Sequence, residues 1–165
     1  MKLLDGLSAR KFEDIRGARI NGAIPVTEKA LNEAVSSRIS AAHGRIQQVG
    51  IQIGSDNYLE MGIKVAVGPF SKWFRPEVTL RAQAQPALIV VTLASREYAP
   101  LMWLVELFAK ELFPKGLTIR DQQIVVNIAE LPAIAEYNEL LGYLKKLDIS
   151  SGPGAMSLLF EIEIN

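Results

Sequence analysis

The sequence predicts an α+β fold: a curved, largely antiparallel sheet of about seven or eight strands packed on apolar helices, in the order β-α-β-β-β-β-α-β-β-α-β. Three observations lead there. Val49, Ile51 and Ile53 alternate with polar residues up to Gly54-Ser55-Asp56-Asn57, and Leu59, Met61, Ile63, Val65 and Val67 alternate after it, which is the pattern of a β-hairpin. Leu31, Val35, Ile39 and Ala42 recur at the three-and-four spacing of one helix face. After Pro100 the run LMWLVELFAKELF is apolar at nearly every position outside a narrow stripe marked by Glu106 and Lys110, so the helix it predicts must be surrounded.

In chain order, Ile20, Gly22, Ile24 and Val26 share one side of a first strand that ends near Pro25. Thr27 is the expected N-cap of a helix over 28–43, with Gly44 placed for a left-handed C-terminal cap. The hairpin follows and is broken at Gly68-Pro69. Residues 70–76 are then expected to form a strand connection. Val78, Leu80, Ala82 and Ala84 alternate up to Pro86, and ALIVVTL, Ala87 to Leu93, has the β-branched, non-alternating character of a strand covered on both faces. Two short strands flank Arg120-Asp121-Gln122. Pro132 opens a third helix with Ile134, Tyr137, Leu141 and Leu144 on one face and Lys145 and Lys146 near its C-terminal dipole. Gly152-Pro153-Gly154 turns the chain into a closing strand with Leu158, Phe160, Ile162 and Ile164 on one side.

At 165 residues, and with no repeat or long linker, the chain reads as one domain over 1–165, with 1–17 as a loosely attached arm. Lysine plus arginine equals aspartate plus glutamate, 18 against 18, so no net field draws the protein to nucleic acid, and no nucleic-acid partner is expected. Cysteine is absent, which excludes thiolate zinc sites and cysteine nucleophiles. No apolar stretch reaches the roughly 18 residues needed to cross a bilayer, and no uncharged signal-peptide core follows Met1. The cytoplasm is therefore the default expectation, although a chain trimmed of a leader for export would read the same.

Catalytic chemistry has little to stand on. His43, the single histidine, has no second imidazole or thiolate with which to hold a transition metal, and sits where an imidazolium would face a helix C-terminus. No Walker loop, dinucleotide fingerprint, nucleophile elbow or HExxH occurs. Glu13/Asp14 and Glu161/Glu163 belong to solvated stretches that would not raise a carboxyl pKa. The expectation is a non-enzymatic protein with no catalytic residues, no cofactor and no metal.

The most unusual local feature is Phe70-Ser71-Lys72-Trp73-Phe74-Arg75-Pro76, three aromatics among two cations. It reads either as an aromatic lid folded on the core or as a segment that sinks its aromatics into the interfacial zone of a bilayer while its cations meet phosphates. The first helix carries Ala30, Ala34, Ser36, Ser37, Ser40, Ala41 and Ala42 and is slender, either to lie close on a sheet or to leave a gap for a ligand tail.

The helix opening TEKALNEAV, the hairpin VGIQIGSDNYLEMGIKV and the later GLTIRDQQIVVNI together resemble bacterial tubular lipid-binding (TULIP-like) domains over roughly Ile20 to Ile128. The resemblance implies a strongly curved antiparallel sheet wrapped round a long apolar helix, with lipid tails held in the gap. The helix after Pro100 would suit that role. The resulting expectation is non-catalytic binding of lipid or another apolar small molecule, with contact at a membrane surface as an option. Leu31, Val35, Met61, Ile63, Trp103, Phe108 and Phe160 are the candidate ligand-lining residues, and Phe70, Lys72, Trp73, Phe74 and Arg75 the candidate membrane or partner contacts. The alternative is a structural or protein-interaction module that docks through a sheet edge or the aromatic segment 70–76. Oligomeric state is left open.

Overall fold

The computed structural model describes residues 16–42, 46–94, 110, 115–120, 123–131 and 137–164. Within them the chain runs β1 (Arg19–Thr27), α1 (Glu28–Ala42), β2 (Ile46–Ile53), β3 (Tyr58–Val67), β4 (Phe70–Phe74), β5 (Glu77–Gln83), β6 (Leu88–Leu93), β7 (Leu117–Arg120), β8 (Gln123–Asn127), a 3-10 turn (Ile128–Glu130), α2 (Asn138–Leu141), β9 (Leu144–Gly152) and β10 (Ala155–Glu163). The architecture is α+β and mostly antiparallel sheet.

The described strands form two open sheets where the sequence pattern suggested one. The larger runs β2-β3-β5-β6-β8-β7 with β4 also on β3, and the smaller runs β1-β10-β9. All the strand pairings are antiparallel. Periodicity states which residues share a face but not which strands pair, so a division into two sheets leaves no mark on it.

The β2–β3 hairpin forms as expected. Its turn needs two consecutive left-handed residues, and Asp56 (φ 57°) and Asn57 (φ 61°) are among the few side chains that accept that conformation at low cost. Thr27 caps α1 as expected, its Oγ1 accepting the Ala30 N–H at 3.2 Å. β1 continues through Pro25 to Thr27, which is tolerated because among the described residues β1 pairs only with β10 and its other edge needs no ladder donor there.

The inner face of the large sheet and the small sheet enclose one core. Ile51, Ile53, Leu59, Met61, Ile63, Val65, Val78, Leu80, Leu93, Ile124 and Val126 from the large sheet meet Val35 of α1 and Ile149 of β9, all buried. A second buried group, Ala87, Ile128, Leu144 and Leu147, adjoins it through Ala82, Ile89, Leu131 and Leu158, which pack on both. In β6, Ile89, Val91 and Leu93 belong to the core side, and its other residues are half-buried.

Side-chain and backbone hydrogen bonds fasten α1 and the small sheet to the large one. The Asn32 amide meets the outer edge of β2 as a strand would: its Oδ1 accepts the Ile51 N–H at 2.6 Å, and its Nδ2 donates to the Ile51 carbonyl at 2.8 Å. The Ile53 N–H donates to Glu28 Oε2 at 3.0 Å, and the Ile53 carbonyl accepts from Gly154 at 2.9 Å. An otherwise open sheet edge is thus satisfied by a helix and a turn. Ser151 Oγ joins the two hairpin turns, accepting the Asn57 N–H and donating to the Gly54 carbonyl, each at 2.7 Å.

Two expectations are corrected. Leu144, Lys145 and Lys146 open strand β9 instead of closing a third helix, of which the described part is the short α2. Residues 70–74, expected as a connection, are strand β4, paired in register with Ile63–Val67. Apart from Lys110, the expected helix after Pro100 lies outside the described residues, as do the start of the third helix at Pro132, His43 with Gly44, and residues 1–15 of the N-terminal arm. Gly17, at the end of that arm, donates its N–H to the Ile164 carbonyl at 2.6 Å and so extends the β1–β10 ladder.

Candidate functional site

β3 is longer than the sheet behind it. Its first residues, Tyr58–Glu60, pair with Glu77–Thr79 of β5, whereas its last five, Ile63–Val67, pair with β4. Between β4 and β5 the returning chain passes Arg75-Pro76, where the Pro76 carbonyl accepts the Met61 N–H at 3.0 Å. Proline has no N–H to give the ladder, so β4 and β5 are one return strand interrupted at a residue that cannot continue it. The β3–β4 end closes through Gly68 (φ 60°), around which there is open space.

Alternation distributes the side chains of this hairpin. Ile63 pairs with Phe74, Val65 with Lys72 and Val67 with Phe70, all on the face that continues the core. Ile63 and Val65 are buried and Phe74 is half-buried against the core, but Val67 is 55% and Phe70 77% exposed. The apolar face therefore outruns the body it serves. On the opposite face Lys64 pairs with Trp73, whose ring lies over Gly62, with Cζ3 3.5 Å from where a Gly62 Cβ would stand. Trp73 is still 45% exposed.

The cations take different surroundings. Lys72 Nζ stands 5.3 Å from the Phe74 ring centroid, held over it in a cation–π contact at the core-side face. Arg75 Nη1 lies 3.8 Å from Glu60 Oε1 at the base of the hairpin, a long ion pair that leaves the guanidinium largely in solvent. Ser71 donates to Gln47 at 2.7 Å and ties β4 to the β2 side of the sheet.

Of the residues singled out from sequence as membrane or partner contacts, Phe70, Lys72, Trp73 and Arg75 are exposed, whereas Phe74 turns inward and is part of the core wall. Val67 was missed. Its signal was present in the alternation Ile63, Val65, Val67 running on to Gly68-Pro69, followed by Phe70, Lys72 and Phe74 alternating on the way back. Among the residues singled out as ligand-lining, Leu31, Val35, Met61 and Ile63 come together in the first core group, and Phe160 packs against the second. Trp103 and Phe108 lie outside the described residues.

Among the described residues no polar or charged side chain is buried, and no three histidine, aspartate or glutamate side chains gather as metal ligands. Glu161, one of the sequence's carboxylate pairs, is engaged by Arg19 Nε at 3.0 Å on the β1–β10 face, with Glu163 Oε2 4.0 Å from Arg19 Nη2. No helix among the described residues is long and apolar enough to cross a membrane. No protein-family model, curated protein or solved structure matches the chain.

Proposed function

We propose that the protein is a non-catalytic lipid-binding protein that meets a membrane surface through the tip of the β3–β4 hairpin. The observation that carries this is the exposure of Val67 and Phe70, a cross-strand apolar pair at the end of a strand whose preceding inward residues are all buried. An apolar pair of that kind gains nothing in water. Full burial of such side chains is worth about 1.5–3 kcal/mol each, so a tip of two supports a reversible contact and not a permanent anchor.

Inserting strands at a bilayer raises the question of unpaired backbone, which hydrocarbon does not tolerate. Here the paired Val67–Phe70 end is a closed turn, and only its side chains need pass below the headgroups. The expectation of an apolar ligand held among Leu31, Val35, Met61 and Ile63 belongs to the same proposal, with the hairpin as the point at which a lipid would be taken up. The resemblance to tubular lipid-binding domains supports the ligand class.

The test is vesicle flotation with phosphatidylcholine vesicles containing phosphatidylserine. The wild type is expected to float, and Val67→Ser/Phe70→Ser to remain behind with an unchanged melting curve. A wild type that stays with the soluble fraction at low salt overturns the membrane reading.

A further inference from the structure

We infer that the surface met by this hairpin is anionic, with Lys64 and Lys72 taking the lipid phosphates and carboxylates on either face of the tip. This rests on the membrane reading above and names its lipid class. Four features of the hairpin lead to it.

The first is position. Lys72 is two residues behind Phe70 and Lys64 three behind Val67, which at about 3.3 Å per strand residue sets the two cations roughly 7 and 10 Å behind the tip. An apolar group at a membrane interface settles about 5–10 Å into the headgroup and acyl boundary, so cations at that setback stand at the depth of the headgroup charges. The second is placement on the two faces: Lys72 is on the core-side face and Lys64 on the outer face, so both sides of the inserted end carry a positive charge.

The third is the absence of competing acid within the hairpin. From Met61 to Pro76 the sequence holds Lys64, Lys72 and Arg75 and no aspartate or glutamate. The flanking acids are at its base: Glu60 is four residues from Lys64 along β3, about 13 Å, beyond the roughly 8–10 Å over which salt leaves charges in contact. The fourth is that Arg75 stands at the base of the hairpin beside Glu60, five residues behind Phe70 and so farther from the tip than either lysine, which leaves the two lysines as the pair nearest the headgroups. Net neutrality of the whole chain does not oppose this, because the field felt at a surface is set by the charges within a Debye length of it.

The experiment compares vesicles of phosphatidylcholine alone with vesicles of phosphatidylcholine and phosphatidylserine, using the full chain and its Lys64→Gln/Lys72→Gln and Lys64→Arg/Lys72→Arg variants. The wild type is expected to bind the anionic vesicles at least tenfold more tightly than the neutral ones, with affinity falling as salt rises. The glutamine pair is expected to lose on the order of tenfold to thirtyfold on anionic vesicles and nothing on neutral ones, and the arginine pair to bind as the wild type does. Equal binding to both vesicles, or an unaltered glutamine pair, overturns the anionic inference while leaving the membrane reading in place. Failure to bind either vesicle overturns both and turns the tip into a protein-docking surface. Melting curves of all variants are expected to overlay, and a glutamine pair that unfolds would overturn the assignment of these lysines to the membrane.

Discussion

The phenyl ring of Phe160 lies across Gly22, its partner in the β1–β10 register, so closely that a Cβ on Gly22 would stand 2.6 and 2.9 Å from the ring's two ε carbons. A glycine in a strand ordinarily weakens it, and an aromatic laid over the vacant side-chain position restores the lost packing. Gly22→Ala is expected to destabilise the protein by about 1–3 kcal/mol through overpacking. In a Phe160→Ala background the same substitution is expected to cost far less, a coupling that a double-mutant cycle in denaturant reads directly. Equal costs in both backgrounds would remove the ring from the explanation.

Asn32 supplies β2 with both halves of a strand neighbour. Asn32→Ala is expected to cost about 1–3 kcal/mol, since it leaves a donor and an acceptor of Ile51 without their partners in a half-buried place. Amide exchange locates the effect: protection at Ile51 should fall first. An Ile51 amide that exchanges as slowly in the variant as in the wild type would mean that the edge is held by something else.

Within β4 the aromatics should part company. Phe70→Ser is expected to change stability by less than about 0.5 kcal/mol, as exposed positions do. Phe74→Ala, which opens the core wall beside Ile63, is expected to cost about 2–4 kcal/mol, less than a fully buried phenylalanine would. Thermal or urea unfolding of the two variants decides it, and a reversed order would place Phe70 in the core and withdraw it from any surface contact.

Ser151→Ala removes one hydroxyl that serves both the Asn57 N–H and the Gly54 carbonyl. The expected loss is about 1–2 kcal/mol, with Ser151→Thr closer to the wild type if the methyl group is accommodated. Chemical denaturation measures it, and an indistinguishable alanine variant would show that water replaces the hydroxyl without cost.

What was legible in the sequence was local. The β2–β3 hairpin, the Thr27 cap, β5, the β7–β8 pair and β10 each follow from spacing within a few residues. β9 was misread for an identifiable reason. Its pairing with β10 shifts register between Glu161 and Ile162, and the partner residues step from Lys146 to Leu144. One residue therefore bulges out, and Leu144 and Leu147 are both buried at a spacing of three. That spacing, continued from Leu141, imitates a helix face. The apolar and charged character of the candidate site was legible too, but not its composition. Alternation assigns Val67, Phe70 and Phe74 to one side of a hairpin without saying where along it the core stops, and that limit is set by how far the elements packed on this face of the large sheet extend.

The first and last described strands, β1 and β10, are matched residue for residue from Arg19↔Glu163 to Thr27↔Ala155. The large sheet is mostly a succession of near neighbours, β2 with β3, β3 with β4, β5 with β6, β7 with β8, and each pair closes a short loop. The β1–β10 ladder therefore stands at the opposite extreme of contact order from these hairpins. As the chain is synthesised, the hairpins of the large sheet can form as soon as they are made, but β1 has no partner until β10 has been added, and Ile149 of the small sheet is needed to seal the core. Until then the inner face of the large sheet has only part of its cover, and the interval before β10 arrives is when the nascent chain is most exposed to association through that face.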